Sequence, residues 1–137
     1  MNFYRLSSVL AAVCLSVFVA GAQNQPPQSP EEREKQLLEF IDKEVERLSN
    51  LLDLEYWQEF YVDSTLTHDY KAMTQEMEEM QKAKVENRDL YVNVQDKWMQ
   101  QIDNSYQRFF TEEQWKKYMK SGGKRAKDAR DKRNKKK

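Results

Sequence analysis

Between Asp53 and Ser121 the chain contains neither glycine nor proline. These are the residues that punctuate helices and build tight turns. A long stretch without them, with apolar side chains recurring three and four positions apart, is confined to helices. The first stripe lies just upstream: Leu37, Ile41, Val45, Leu48 and Leu52, on a helix ending near Leu52 or Asp53. It begins at Ser29, with Pro30 at the first helical position and Glu32 three after the serine, the pattern of a capping box. A second helix is expected from residue 54 to about 83, with Val62, Leu66, Tyr70, Met73, Met77 and Met80 on a near-heptad seam. The stripe lapses around Glu86 to Asp89, which reads as a turn. A third helix, from about 90 to 109, carries Leu90, Val94, Trp98, Ile102, Tyr106 and Phe109. A short helix follows Thr111 and ends at "SGG", where Gly122 or Gly123 is free to take the left-handed conformation.

No alternating run and no Asn-Gly turn suggests a strand. The expected fold is all-α: a long antiparallel helical hairpin with shorter flanking helices. The helical domain is expected over residues 30–122, preceded by a polar, Pro-rich linker at 23–29. Residues 123–137 are basic and have no apolar stripe, so they are expected to be frayed or disordered.

Residues 1–22 read as a signal peptide. Arg5 supplies the positive charge, an uncharged apolar run follows, and Ala20-Gly21-Ala22 places small residues at the cleavage site. The apolar run falls short of the ~20 residues that span a bilayer, which weighs against an uncleaved anchor. Val13 ahead of Cys14 weighs against a lipoprotein. Cleavage would remove Cys14, the only cysteine. Disulfides, cysteine zinc sites and cysteine nucleophiles then drop out.

Charge is balanced overall but segregated. From Lys120 onward there are ten basic and two acidic residues, whereas residues 23–119 hold twelve basic and 21 acidic ones. A −9 body with a +8 tail points to interaction more than to catalysis. Lys124, Arg125, Lys127, Arg130, Lys132 and Arg133 are the tail's candidate contacts, with an anionic envelope surface as partner; the plainer readings are a solubilising tail, or one that folds back loosely on the acidic body. No base-reading module appears, so nucleic acid is not expected. His68 is the only histidine; without a second His or a Cys it makes a poor zinc site. No cofactor is expected. No Ser-His-Asp set or phosphate loop is present, so no enzyme activity is expected. Carboxylates such as Glu76, Glu78 and Glu79 read as a solvated face.

The start of the second helix is crowded with Tyr56, Trp57, Phe60 and Tyr61. Together they cover too much circumference for one buried stripe, so part of the cluster should face a partner or client. Leu66, Tyr70, Met73, Met77 and Met80 have two readings: a seam between hairpin helices, or a flexible apolar surface suited to promiscuous binding. With thirteen aromatic residues beyond position 22, dimerisation would bury surface that thin helices leave open.

Phe110-Thr111-Glu112-Glu113-Gln114 has the form of a capping box, Thr111 accepting from the Gln114 backbone and Gln114 returning to that of Thr111. Fifty-six residues earlier, Leu54-Glu55-Tyr56-Trp57-Gln58 keeps the leucine and the glutamine at the same spacing. Glu55 replaces the threonine, and Asp53 is the alternative cap. The pair resembles the twin LTxxQ motifs of the small periplasmic Spy/CpxP family, with Leu54, Gln58, Phe110, Thr111 and Gln114 as motif positions. The resemblance spans roughly residues 30–123. It implies a cradle-like antiparallel dimer of helical hairpins in the periplasm of a Gram-negative bacterium. Members act as ATP-independent chaperones or envelope-stress proteins, and some bind metal. The expected function is therefore binding of unfolded or exposed protein segments by an exported homodimer. The alternatives are a helical module docking on one envelope component, and a metal-binding envelope protein.

Overall fold

The computed structural model describes residues 28–135. The expected signal peptide, most of the linker and the last two lysines lie outside the described residues. Those described form helices and their connections, without a strand; the fold is all-α.

Helix α1 runs Pro30–Leu52. Its start is the capping box read from the sequence: the Glu32 amide donates to Ser29 Oγ at 3.1 Å, and the Ser29 amide donates to Glu32 Oε2 at 3.0 Å. Ile41, Leu48 and Leu52 are buried, as the stripe requires. The helix stops at Asp53, which takes φ 54°, while the Leu54 amide reaches back to the Ser49 carbonyl at 3.3 Å. This six-to-one bond is a Schellman-type ending built without glycine.

Helix α2 runs Tyr56–Lys82 and α3 runs Arg88–Phe109. Both fall within two residues of expectation. The turn between them uses the same device: Lys84 has φ 56° and the Val85 amide donates to the Met80 carbonyl at 3.0 Å. Asn87 then caps α3, its side chain accepting from the Asp89 amide at 3.0 Å. Contacts between the two helices run in antiparallel order. Glu76 meets Lys97, Asp69 meets Gln101, and Gln58 meets the Phe109 carbonyl.

Two apolar clusters lie along these helices. The larger joins Ile41, Leu48 and Leu52 of α1 to Val62 and Leu66 of α2 and to Ile102, Tyr106 and Phe110. The smaller joins Met73 and Met77 to Val94, with Met80, Tyr91 and Trp98 against them. Each large apolar side chain fully removed from water contributes ~1.5–3 kcal/mol, so the clusters are the main driving force.

Helix α4, Glu112–Tyr118, is followed by a kinked segment, Met119–Gly123, and by α5, Lys124–Asn134. Gly122 makes the kink at φ 124°, a conformation that L side chains rarely adopt. The tail thus differs from the frayed segment expected. It is helical although it lacks an apolar stripe, because two arginines tie it to α3. Arg130 is buried and pairs with Asp103, itself buried. Arg133 holds Asp96 through two bonds of 2.7 and 2.6 Å. Lys124–Asp128 and Lys127–Asp131 add pairs four apart. Their order, cation first, is the weaker one on a helix, so the arginines carry the docking.

Tyr118 Oη donates to Asp103 Oδ1 at 2.7 Å. Burial, then the neighbouring Asp103 carboxylate, push the Tyr118 phenol far above its usual range; burial, then Tyr118, do the same for Tyr106. A raised folded-state pKa means that the native state keeps protons the unfolded chain releases. Stability is therefore full below the unfolded value and falls above pH ~10. The urea midpoint is expected to hold from neutral pH to about 10 and to drop steeply above that, with a shallower drop in Tyr118→Phe. A flat profile would contradict the burial of both rings.

Candidate functional site

The two motif glutamines, 56 residues apart in sequence, meet side chain to side chain. Gln58 Nε2 donates to Gln114 Oε1 at 2.8 Å, and Gln114 Nε2 donates to Gln58 Oε1 at 3.0 Å. Each amide oxygen also accepts the backbone NH three residues before it, from Glu55 at 3.0 Å and from Thr111 at 2.9 Å. Each amide nitrogen also reaches the carbonyl that ends the helix ahead of the other motif. Gln58 bonds Phe109 at 2.9 Å and Gln114 bonds Leu52 at 3.4 Å. Both donors and both acceptor positions of each side-chain amide are used. The glutamines are 2% and 9% exposed, so this satisfaction is what makes their burial tolerable.

The remaining motif positions support the clasp. Thr111 Oγ1 accepts from the Gln114 amide at 3.2 Å, completing the second capping box. Phe110 is buried and stacks on Tyr106 with centroids 4.9 Å apart. Leu54 packs against the larger cluster. At the first motif the alternative cap is corrected: Asp53 ends α1 in the left-handed region, and Glu55 is the N-cap of α2. The Glu55 carboxylate accepts from Trp57 Nε1 at 2.5 Å.

The clasp anchors the crowded start of α2. Tyr56, Trp57, Phe60 and Tyr61 are 87%, 47%, 62% and 52% exposed. Three of the four are held together: Tyr61 touches Trp57, Phe60 and Phe109 with ring centroids 6.0, 5.8 and 5.8 Å apart. The lower part of the candidate surface behaves differently. Leu66, Met73 and Met77 are buried and Tyr70 and Met80 half-buried. Of the two readings given for them, the first three take the seam and are withdrawn as client-facing candidates, because α3 places Val94 and Ile102 over them.

Beside the exposed rings, α1 and α2 border a shallow, open groove of about 550 Å³ that Tyr56 and Phe60 line together with Asp42, Glu46, Glu59 and Asp63. The sequence reading did not single out these carboxylates. Their signal was present: Asp42 and Glu46 are four apart, as are Glu59 and Asp63. Like charges at that spacing cost a few tenths of a kcal/mol on a helix. No ion pair reaches any of the four among the described residues, whereas Glu34, Glu44, Glu76, Glu112 and Glu113 all have cationic partners. The hydrogen bonds from Lys97 and Trp98 also hold the Glu76 carboxyl below its ordinary range.

Of the tail residues, Arg130 and Arg133 point to α3, Lys124 and Lys127 pair within α5, and Arg125 and Lys132 face solvent. Asp96 and Asp103, their anchors, went unremarked in the sequence. They sit seven apart on α3, the spacing of one helical face, as a signal available in hindsight. His68 Nδ1 lies 2.8 Å from Asp69 Oδ1, which also accepts from Gln101 at 3.0 Å. No group of three or more His, Cys, Asp or Glu side chains suited to a metal is found among the described residues. No helix among them is long and apolar enough to cross a membrane.

Comparison of the chain with protein-family models, with curated proteins and with solved structures returns no match.

Proposed function

We propose that this chain is an exported, ATP-independent chaperone of a Gram-negative envelope, working as a homodimer that holds unfolded or exposed protein segments. The observation that carries the reading is the aromatic platform of Tyr56, Trp57, Phe60 and Tyr61. Four large rings stay open to water within two turns of helix, on a base braced by the Gln58–Gln114 clasp. Clustered exposed aromatics of this kind mark interaction surfaces. Their amphipathic rings accept varied apolar segments with little loss of side-chain freedom. The cations Arg125 and Lys132 on α5 would help hold the protein near anionic envelope surfaces.

The test is aggregation of a reduced model substrate, followed by light scattering. Residues 23–137 at a stoichiometric ratio are expected to suppress it, and Trp57→Ala/Phe60→Ala to lose most of the effect while keeping a native helical spectrum. Unchanged scattering across salt concentrations would remove the proposal. A second reading, docking on one envelope component, is favoured by the confinement of the largest exposed rings to one patch. Cross-linking in envelopes would give one dominant partner in that case, and a broad set of clients in the first.

A further inference from the structure

We propose that the groove between α1 and α2 selects cationic client segments, those in which arginine or lysine alternates with aromatic or aliphatic residues; this rests on the chaperone reading above. The groove combines two chemistries. Tyr56 and Phe60 offer exposed ring faces, and Asp42, Glu46, Glu59 and Asp63 offer four carboxylates without a cationic partner among the described residues. Several carboxylates elsewhere on these helices meet a cation, as in Glu44–Arg47, Glu34–Lys71 and Glu76–Lys97. Here two like-charged pairs, each a helical turn apart, line one groove, and Ser49, donating to Glu59, is the only side-chain donor to them among the described residues. An incoming cation relieves that repulsion, and its stem packs on the rings.

The complementarity is specific in sign and shape. A guanidinium over an aromatic face is attracted by the ring quadrupole, while a carboxylate beside it supplies a bidentate acceptor. An acidic or purely apolar segment gains only one of the two contributions. The chain's own basic helix is not the occupant, because Arg130 and Arg133 are committed to Asp103 and Asp96 on α3. The size of the groove, about 550 Å³, suits a few side chains of an extended segment rather than a folded domain.

The test is fluorescence anisotropy with residues 23–137 and a labelled peptide alternating arginine with phenylalanine. Binding is expected to weaken about tenfold in Glu46→Gln/Asp63→Asn, and by a similar factor in Phe60→Ala. Glu86→Gln/Asp89→Asn, with equal charge loss at the α2–α3 turn, should stay within about twofold. A glutamate–phenylalanine peptide should bind at least about tenfold more weakly than the arginine one. Equal weakening by the groove and turn variants would overturn the proposal, as would equal affinity for the two peptides. So would a self-association abolished alike by Glu46→Gln/Asp63→Asn and by removal of residues 124–137, which would assign the groove to a second copy. Suppressed aggregation without selective peptide binding sinks this inference alone. Selective binding without suppressed aggregation sinks the chaperone reading alone.

Discussion

Replacing Gln114 by alanine is expected to lower the unfolding free energy by about 3 kcal/mol, roughly a 10–20 °C fall in Tm. The magnitude follows from the groups left behind. The Thr111 amide and the Leu52 carbonyl lose the side chain they share, and Gln58 loses one donor and one acceptor contact. Each buried polar group left unmade costs ~1–3 kcal/mol, partly recovered where water enters. Gln58→Ala should cost about as much, since Gln58 holds the Glu55 amide and the Phe109 carbonyl. The decisive measurement is the double-variant cycle in urea. Glutamines that act as one unit give a double variant less costly than the sum of the singles. Additive losses, or single losses below ~1 kcal/mol, would mean that the amide pair is not formed in solution.

Arg130→Met is expected to cost about 3 kcal/mol and to release α5 from α3. The guanidinium and the Asp103 carboxylate are both buried, and Nε of Arg130 has no hydrogen-bond partner among the described residues. Removing the arginine leaves Asp103 charged, with the Tyr118 hydroxyl as its remaining donor. That is the situation in which a broken buried pair costs most. Hydrogen exchange over Lys124–Asn134 should accelerate strongly, and the Arg133–Asp96 contact alone, half in water, should not hold the helix. The double variant Asp103→Leu/Arg130→Met should recover most of the loss, because it leaves no orphaned charge. Wild-type α5 amides exchanging at the rate of an unstructured peptide would refute the docking altogether.

Much of the fold was legible before any tertiary contact was known, and the reasons are local. Helix periodicity depends on side chains three and four apart, so the stripes of α1, α2 and α3 could be read directly. Caps are equally short-ranged. The Ser29–Glu32 and Thr111–Gln114 boxes span four residues each, and both form as the pattern requires. Asp53 and Lys84 were harder to read, because glycine is the ordinary helix-ending residue and neither is one. The tail was misjudged for a related reason. A helix without an apolar stripe has no sequence-local drive to fold, and its anchors lie 27 and 37 positions away.

The candidate site divides along the same line. That the start of α2 carries more apolar surface than one face can bury followed from Tyr56, Trp57, Phe60 and Tyr61 alone. Which of its neighbours would be covered did not. Leu66, Met73 and Met77 have the same composition as a client surface and became a seam only because α3 lies across them.

From the chain alone, then, came the all-α class, the helix positions, the two glutamines at matching spacing and the segregated charge, since each arises from interactions within about one helical turn or from composition. Tertiary structure alone decided that Gln58 and Gln114 join, that Asp96 and Asp103 turn inward to meet arginines, and that four carboxylates without a cationic partner among the described residues share a groove with open rings. Those outcomes depend on which helices come together, and a pattern of nearest neighbours carries no record of partners many turns away.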